Sequence, residues 1–598
     1  MNDNRKNIIL IFIVLVGLVL LVRLFFIQVV NEEFKRAADN NAVQRLVDYP
    51  YRGLIYDRHD KLLVYNDPVF DLMVIPRNVQ IKDTTLFCNL FKLTKEELIE
   101  KYEVARKYSQ VKPSVFIKQI SNADFAKIQD YLIDFRGFFI VSRSVRAYPE
   151  PIMANALGYI GEISKRRLEI DTTKYYKSGD YIGIGGMEAY YEQTLRGTRG
   201  AKYRLVNVRG VEKGSYKNGE FDTLSIPGNN IISTIDRDLQ KYGEFLMNGK
   251  VGSVVAIEPS SGEILAMISA PSYDPNLLTG AQFSEQYAKL NADTTKPLFV
   301  RPIMAMYPPG SIFKIVQSLI GMQEGVFNEN TIFPCNKSLV NCHVHPNPVN
   351  LEGAIRYSCN PYFHQAYKRI INQELSPNDF TDSKLGLDKW KEQVLKFGLG
   401  QPLGVDLFNE RGGQIPGSNY YDKIYGAGRW RYRTIYSLSI GQGEMLVTPL
   451  QMANLAALVA NKGYYYTPHL VKSITGDDDI DQRFKVRNES GIDAKHFDIV
   501  HEAMIKAVSG TAARAVMKDI VMAGKTGTAE NPGVDHSVFI AFAPAEDPKI
   551  AIAVYVENAG WGGRAAASTA SLMIEKYLKG QITRPALEEY VLKGEFIY

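Results

Sequence analysis

Three short patterns in the second half of the chain carry residue types suited to nucleophilic catalysis: Ser311-Ile-Phe-Lys314, Ser358-Cys-Asn360 and Lys525-Thr-Gly-Thr528. A serine hydroxyl is a poor nucleophile until a neighbour takes its proton. A lysine amine can do so once desolvation and a second cation lower its pKa. Tyr307-Pro-Pro-Gly310 stops the preceding chain, and the helical periodicity of IFKIVQSLIGMQ predicts Ser311 at or near a helix N-terminus with Lys314 on the same face. Backbone N–H groups there would face an oxyanion formed at a carbonyl attacked by Ser311. Lys525 would supply the second positive charge. Thr526 and Thr528 share one side of a predicted strand, and Gly527 between them lets a substrate approach the backbone. Hydroxyls and an ammonium on a strand edge suit an extended peptide ending in a carboxylate. Ser358 and Asn360, two apart on a predicted loop, would supply a proton relay and an amide to hold the substrate.

Each pattern alone is short, and Ser109-Gln-Val-Lys112, Ser376-Pro-Asn378 and Lys177-Ser-Gly179 match the same loose forms. Context separates them. Lys112 precedes Pro113 and is biased out of the helical conformation, and Ser376 followed by Pro377 reads as a helix N-cap. A phosphate-loop reading of Gly524-Lys525-Thr526 fails because position 519 is Asp519 where glycine is required. His501-Glu502 does not continue into a zinc-protease motif, and in the glycine-rich stretch 179–200 Glu188 stands where a dinucleotide fingerprint needs its third glycine.

The elements that must position these residues form a large mixed domain opening near Asn230. A helical signal, TIDRDLQKYGEFLMNG, precedes two β-rich runs, Ser253 to Ile257 and Ile264 to Ser269, around Pro259-Ser-Ser-Gly262, which reads as a hairpin. Residues 538–558 read as two antiparallel strands around Glu546-Asp547-Pro548, followed by a helix. Strands at both ends with helices between predict one antiparallel sheet covered by helices, an α+β or mixed fold. Ahead of it, 49–76 reads as extended and strand-rich. Residues 80–140 read as partly helical, with a capping box at Thr94 and Glu97 and a cap at Ser121.

The 598 residues carry a net charge of +5 and are 45% hydrophobic and 23% charged. This excludes a disordered or small disulfide-stapled chain, and the small, dispersed basic excess speaks against a nucleic-acid partner. Ile8 to Val30 is apolar except for Arg23 and Gln28 and, at about 1.5 Å per residue, reaches roughly 35 Å, enough to span a bilayer. No small-residue cleavage site follows in Asn31, Glu32, Glu33 and Phe34, so the segment reads as an uncleaved signal anchor. Arg5 and Lys6 favour a cytoplasmic N-terminus, a bias weakened by Lys35 and Arg36. The expected division is a cytoplasmic tail (1–7), a transmembrane anchor (8–30), an exported strand-rich and partly helical region (31–225) and the large mixed domain (226–598).

In order and context the three patterns resemble those of the penicillin-recognising serine enzymes. RGLIYDR (52–58), RAYP (146–149), YPPGSIFK, GQGEMLVTPLQMA (441–453), AGKTGTAE (523–530) and DHSVFIAFAP (535–544) extend the likeness over nearly the whole chain to the class B penicillin-binding proteins, with the elongation transpeptidases the most similar branch. The resemblance implies that Ser311 attacks the penultimate D-alanine carbonyl of a peptidoglycan stem peptide. It would expel the terminal D-alanine and pass the acyl group to an amine of a neighbouring stem; β-lactams would acylate the same serine. It further implies Lys314 as base with Ser358 and Lys525 in the proton network, the identity of the proton acceptor being left open. The N–H groups of Ser311 and Thr528 would form the oxyanion hole, Thr526 and Thr528 would bind the substrate carboxylate, and Asn360 its amide. No cofactor is implied for this chemistry. The implied partners are a membrane glycan polymerase of the shape, elongation, division and sporulation family and a rod-complex scaffold protein, on the extracytoplasmic side of the bacterial inner membrane.

Cys335, Cys342 and Cys359 cluster with His345 around the second pattern. Three thiolates and an imidazole make a tetrahedral zinc set, with a disulfide of Cys335 with Cys342 or Cys359, or unlinked thiols, as alternatives, and His343 as a substitute for His345. Elongation enzymes of some lineages resemble this in carrying zinc near the same motif. Cys88 reads as an apolar filler. Rival readings of the whole are a septal transpeptidase, a D,D-carboxypeptidase or β-lactamase that hands the acyl group to water, and a β-lactam sensor that binds without turnover.

Overall fold

The computed structural model describes residues 3–27, 43–206, 212–280, 282–476 and 480–597. They fall into two compact units: 1–52, 68–144 and 196–228 make the first, and 53–67, 145–195 and 229–598 the second.

In the first unit, Asp3–Phe25 is a helix whose Lys6–Phe25 stretch has a mean hydropathy of 3.2 and is long and apolar enough to cross a membrane. The end of the expected anchor, Gln28 to Val30, and the flanking Asn31 to Arg36 lie outside the described residues. Val43–Asp48, Gly200–Val206 and Glu212–Ser215 form an antiparallel sheet in that order. Elsewhere in the unit, Val69 to Val74 pair antiparallel with Ser114–Ser121. Phe87, Phe91, Phe116, Phe135 and Phe138 pack together there with Cys88, which is buried filler. The capping box forms: Thr94 accepts from the Glu97 N–H while Glu97 accepts from that of Thr94, and Ser121 caps the helix Asn122–Ile128.

The second unit is built on helix α1 (Arg237–Leu246), capped by Asp236, and the hairpin β1 (Gly252–Ile257) and β2 (Ile264–Ala270). Helices α2 (Lys314–Gln323), α3 (Leu351–Arg356), α4 (Asn360–Ile371) and α5 (Pro449–Ala460) come next. The chain then returns through β3 (Ala523–Ala529), β4 (His536–Ala543), β5 (Ile550–Val556) and helix α6 (Ala565–Lys579). The sheet order is β2-β1-β5-β4-β3, antiparallel throughout, with β3 at the edge.

The runs in β1, β2 and β5 are almost wholly apolar, and every residue in them is buried, because helices cover both faces of the sheet. Val255, Ile540, Phe542 and Ala553 share one core with Leu455 of α5. Val254, Phe539, Ile552 and Val554 pack on the other face with Leu572 and Met573 of α6 and Leu239 of α1. The predicted sheet covered by helices is thus present, with an early and a late strand of the domain's sequence pairing as β1 and β5. One cap differs: Asn378, not Ser376, caps the helix Asp379–Leu395 by accepting from the N–H groups of Phe380 and Thr381, and Ser376 accepts from the Asn378 N–H one turn earlier.

Candidate active site

Ser311 lies in a tight 3-10 turn, Gly310–Phe313, that runs directly into α2. The two prolines fix the chain ahead of it, and Gly310 takes φ +58°, a left-handed conformation that suits glycine. A side chain at Gly310 would also strike the Thr528 carbonyl of β3, 2.7 Å from an added Cβ. The Ser311 turn is thereby pressed against the sheet edge. At Gly527 an added Cβ would lie 3.0 Å from the Pro309 carbonyl, so the close backbone neighbour at this position is the lead-in to Ser311.

Lys314 begins α2 and is wholly buried. Its Nζ donates to the Ser358 carbonyl at 2.8 Å, Ser358 Oγ at 3.1 Å and Asn360 Oδ1 at 2.6 Å. Lys525, equally buried on β3, donates to the same Ser358 Oγ at 3.0 Å and to the Thr526 carbonyl at 2.8 Å. Ser358 reaches both amines from the tight connection between α3 and α4, where it holds φ +53°, a strained conformation for a non-glycine residue. Burial lowers the Lys314 pKa to about 7, against an opposing pull from Cys342 and Cys359. Burial, and then the Lys314 charge, hold Lys525 well below the ordinary lysine value. The two amines expected from the sequence lie together and both are desolvated, but burial rather than a Lys525 charge is what lowers Lys314, and the charge effect runs from Lys314 onto Lys525.

Asn360 is the first residue of α4. Its Oδ1 faces Lys314 while its Nδ2 donates to the Asn341 carbonyl at 2.8 Å, which fixes the amide orientation. Thr526 donates to Thr511 Oγ1 at 2.8 Å, and Gln442 Nε2 donates to the Thr528 carbonyl at 3.0 Å. Thr511 and Asn341 belong to no pattern singled out from the sequence. Gln442 sits inside the GQGEMLVTPLQMA stretch, the one signal that pointed toward it.

The sulfur atoms of Cys335, Cys342 and Cys359 and a ring nitrogen of His345 all lie within 4.8 Å of one another. The cysteines are unpaired thiols. His345 Nε2 is 3.5 Å from Cys342 Sγ, and its Nδ1 lies 2.7 Å from the Pro346 carbonyl, a contact that leaves Nε2 as the lone-pair nitrogen facing the sulfurs. Hydrogen bonding to Cys359 draws the Cys342 thiol pKa down, and the same bond pushes Cys359 up. The donor set fits a tetrahedral soft-metal site, and His345 rather than His343 completes it.

A partly exposed serine with a buried lysine one turn along and a second buried lysine on the edge strand of an antiparallel sheet covered by helices defines a penicillin-recognising serine acyltransferase. The sequence model described as the penicillin-binding protein transpeptidase domain matches residues 252–575, more than half of the chain, and that of the penicillin-binding protein dimerisation domain matches 47–233. The peptidoglycan D,D-transpeptidase MrdA of Acinetobacter baumannii is 30% identical over 593 residues, covering 92% of this chain and 84% of that protein. MrdA of Haemophilus influenzae is 30% identical over 618 residues, 96% of this chain and 91% of the relative. Among solved structures, penicillin-binding protein 2 of Helicobacter pylori in complex with MreC superposes with a TM-score of 0.72 at 26% identity, over 90% of this chain and 100% of that one. Penicillin-binding protein 2 of Pseudomonas aeruginosa with the ligand WCK 5153 superposes with a TM-score of 0.65 at 28% identity, over 90% and 97%. The chain belongs to the class B penicillin-binding proteins, in the branch of these elongation-type relatives.

Proposed function

We propose that Ser311 is the nucleophile of a D,D-transpeptidase that cross-links peptidoglycan stem peptides for cell elongation, and that it is the serine β-lactams acylate. The observation that carries this reading is the convergence on Ser358 Oγ of two buried amines, one of them, Lys314, a helical turn along the chain from Ser311. A neutral Lys314 amine takes the Ser311 proton as Oγ bonds to the penultimate D-alanine carbonyl carbon. The N–H groups of Ser311 and Thr528 hold the oxyanion. Ser358, bridged to Lys525, returns the proton to the leaving D-alanine nitrogen as the peptide bond breaks. The acceptor amine then attacks the ester carbonyl, loses a proton through the same relay, and frees Ser311. Thr526 and Thr528 receive the donor carboxylate, with Lys525 supplying positive charge beneath it and Gly527 keeping the strand close to the nucleophile turn. Asn360 holds the donor amide.

The division into a tail (1–7), anchor (8–30), pedestal (31–225) and transpeptidase domain (226–598) is part of the proposal. The apolar N-terminal helix and the match to a dimerisation domain support it. The anchor places the catalytic domain on the extracytoplasmic side, and the pedestal meets a scaffold of the MreC kind and a glycan polymerase. The support is likeness to solved assemblies titled as a complex with MreC and as a peptidoglycan synthase complex that coordinates polymerization and crosslinking. Cys335, Cys342, His345 and Cys359 would hold a structural zinc that fixes the loop carrying Ser358 and Asn360; such an ion supplies no step of the reaction.

The test is product analysis of pentapeptide-bearing glycan with an acceptor amine present and absent. Cross-linked dimer in the presence of acceptor is the expected result. Hydrolysed tetrapeptide alone would make the protein a carboxypeptidase, and a stable acyl adduct without product a sensor.

A further inference from the structure

The proposed reading needs two backbone N–H groups, from Ser311 and Thr528, aimed at one point, yet they belong to segments more than 200 residues apart in sequence. One dipeptide touches both. The Gly310 N–H donates to the Gly441 carbonyl at 2.9 Å, and the next side chain, Gln442, donates through Nε2 to the Thr528 carbonyl at 3.0 Å. Gly441 adopts φ +72°, and a Cβ there would meet the Gly310 carbonyl at 2.3 Å and the Phe313 Cβ at 2.8 Å. Only glycine permits this approach, because the conformation and the space both exclude a side chain.

In an extended strand the N–H and C=O of one residue point to the same side. β3 is the sheet edge, so a Thr528 carbonyl engaged by Gln442 faces off the sheet, and the Thr528 N–H faces off it too. Gly310, against the same Thr528 peptide, fixes the distance between that N–H and the Ser311 turn.

We infer that Gly441 and Gln442 form the positioning element of the oxyanion hole, with the Gln442 amide acting as the positioning residue that aims the Thr528 N–H. This rests on the proposed acylation of Ser311. Gln442 touches no reacting atom. Deleting an oxyanion donor costs about 10²- to 10³-fold in rate. Releasing Gln442 leaves the donor present but loosely aimed, so the expected loss is smaller, about 10- to 100-fold.

The experiment uses the full chain in detergent, as wild type, Gln442→Ala and the near-isosteric Gln442→Glu, whose carboxylate cannot donate to a carbonyl. Stopped-flow acylation with benzylpenicillin separates the noncovalent Kd from the acylation rate constant. Difference infrared spectroscopy of the adduct reads the ester carbonyl stretch, which an aligned oxyanion hole holds at low wavenumber. The expected result is an acylation constant lowered about 10- to 100-fold, an unchanged Kd, and a carbonyl band moved to higher wavenumber in both variants. A folded variant with unaltered rate and band would overturn the inference. So would a loss expressed only in Kd with the band in place, since that makes Gln442 a ligand contact. If Gln442→Ala does not fold, Gln442→Glu carries the same test. The mass of the wild-type adduct at Ser311, measured on the same samples, separates failure of this inference from failure of the reading beneath it.

Discussion

Replacing Ser358 with alanine removes one oxygen and tests the proton relay directly. That oxygen accepts from Lys314 at 3.1 Å and from Lys525 at 3.0 Å, and both amines are wholly buried. Lys314 keeps the Ser358 backbone carbonyl and Asn360, and Lys525 keeps the Thr526 carbonyl, so neither amine is orphaned and the fold should survive. What disappears is the bridge between them. A hydrogen bond involving a charged group contributes about 1.5–3 kcal/mol, and at about 1.4 kcal/mol per decade this corresponds to roughly 10- to 150-fold in the acylation rate constant. Stopped-flow quenching with a fluorescent penicillin reads that constant apart from the prior binding equilibrium. The expected result is a drop of that size with little change in Kd. A Ser358→Ala protein that folds and acylates at the wild-type rate would show that the two amines work without the hydroxyl between them, and the relay would be refuted.

Three further outcomes are expected. Burial holds the Lys314 pKa at about 7, and only the neutral amine can take the Ser311 proton; the acylation rate constant should therefore rise with pH through about 7 and level off above it, and a stopped-flow pH series that is flat from pH 5.5 to 8.5 would contradict this. In Glu188→Ala, Arg146, whose Nε donates to Glu188 at 2.7 Å with both side chains inaccessible, keeps its charge without that carboxylate, at a cost of about 3–5 kcal/mol; denaturant unfolding should show it, and a loss below about 1 kcal/mol would mean the surroundings compensate. Protein purified without chelator should carry one zinc per chain by elemental analysis, lost in Cys359→Ser together with a lowered melting temperature, whereas a metal-free wild type with the same melting temperature would remove the zinc proposal.

The groups proposed to react could be singled out in the sequence because each lies in a local pattern whose consequence is local. Two prolines and a glycine fix the turn before Ser311, alternation puts Thr526 and Thr528 on one side of β3, and Thr94 with Glu97 closes its own helix end. The groups that hold them in place could not. Thr511 meets Thr526 across 15 positions, Asn341 meets Asn360 across 19, and Gln442 meets Thr528 across 86. Such contacts depend on how whole elements pack, and neither propensity nor periodicity carries that information. The same limit explains the misplaced cap at Ser376: two cap-forming residues two positions apart compete, and tertiary packing settled on Asn378.

Mass spectrometry of the full chain incubated with benzylpenicillin, wild type beside Ser311→Ala, tests the nucleophile most directly. A single adduct whose peptide maps to Ser311, absent from a folded alanine variant, is the expected result. An adduct of the same mass in Ser311→Ala, or one mapped to another residue, would contradict it.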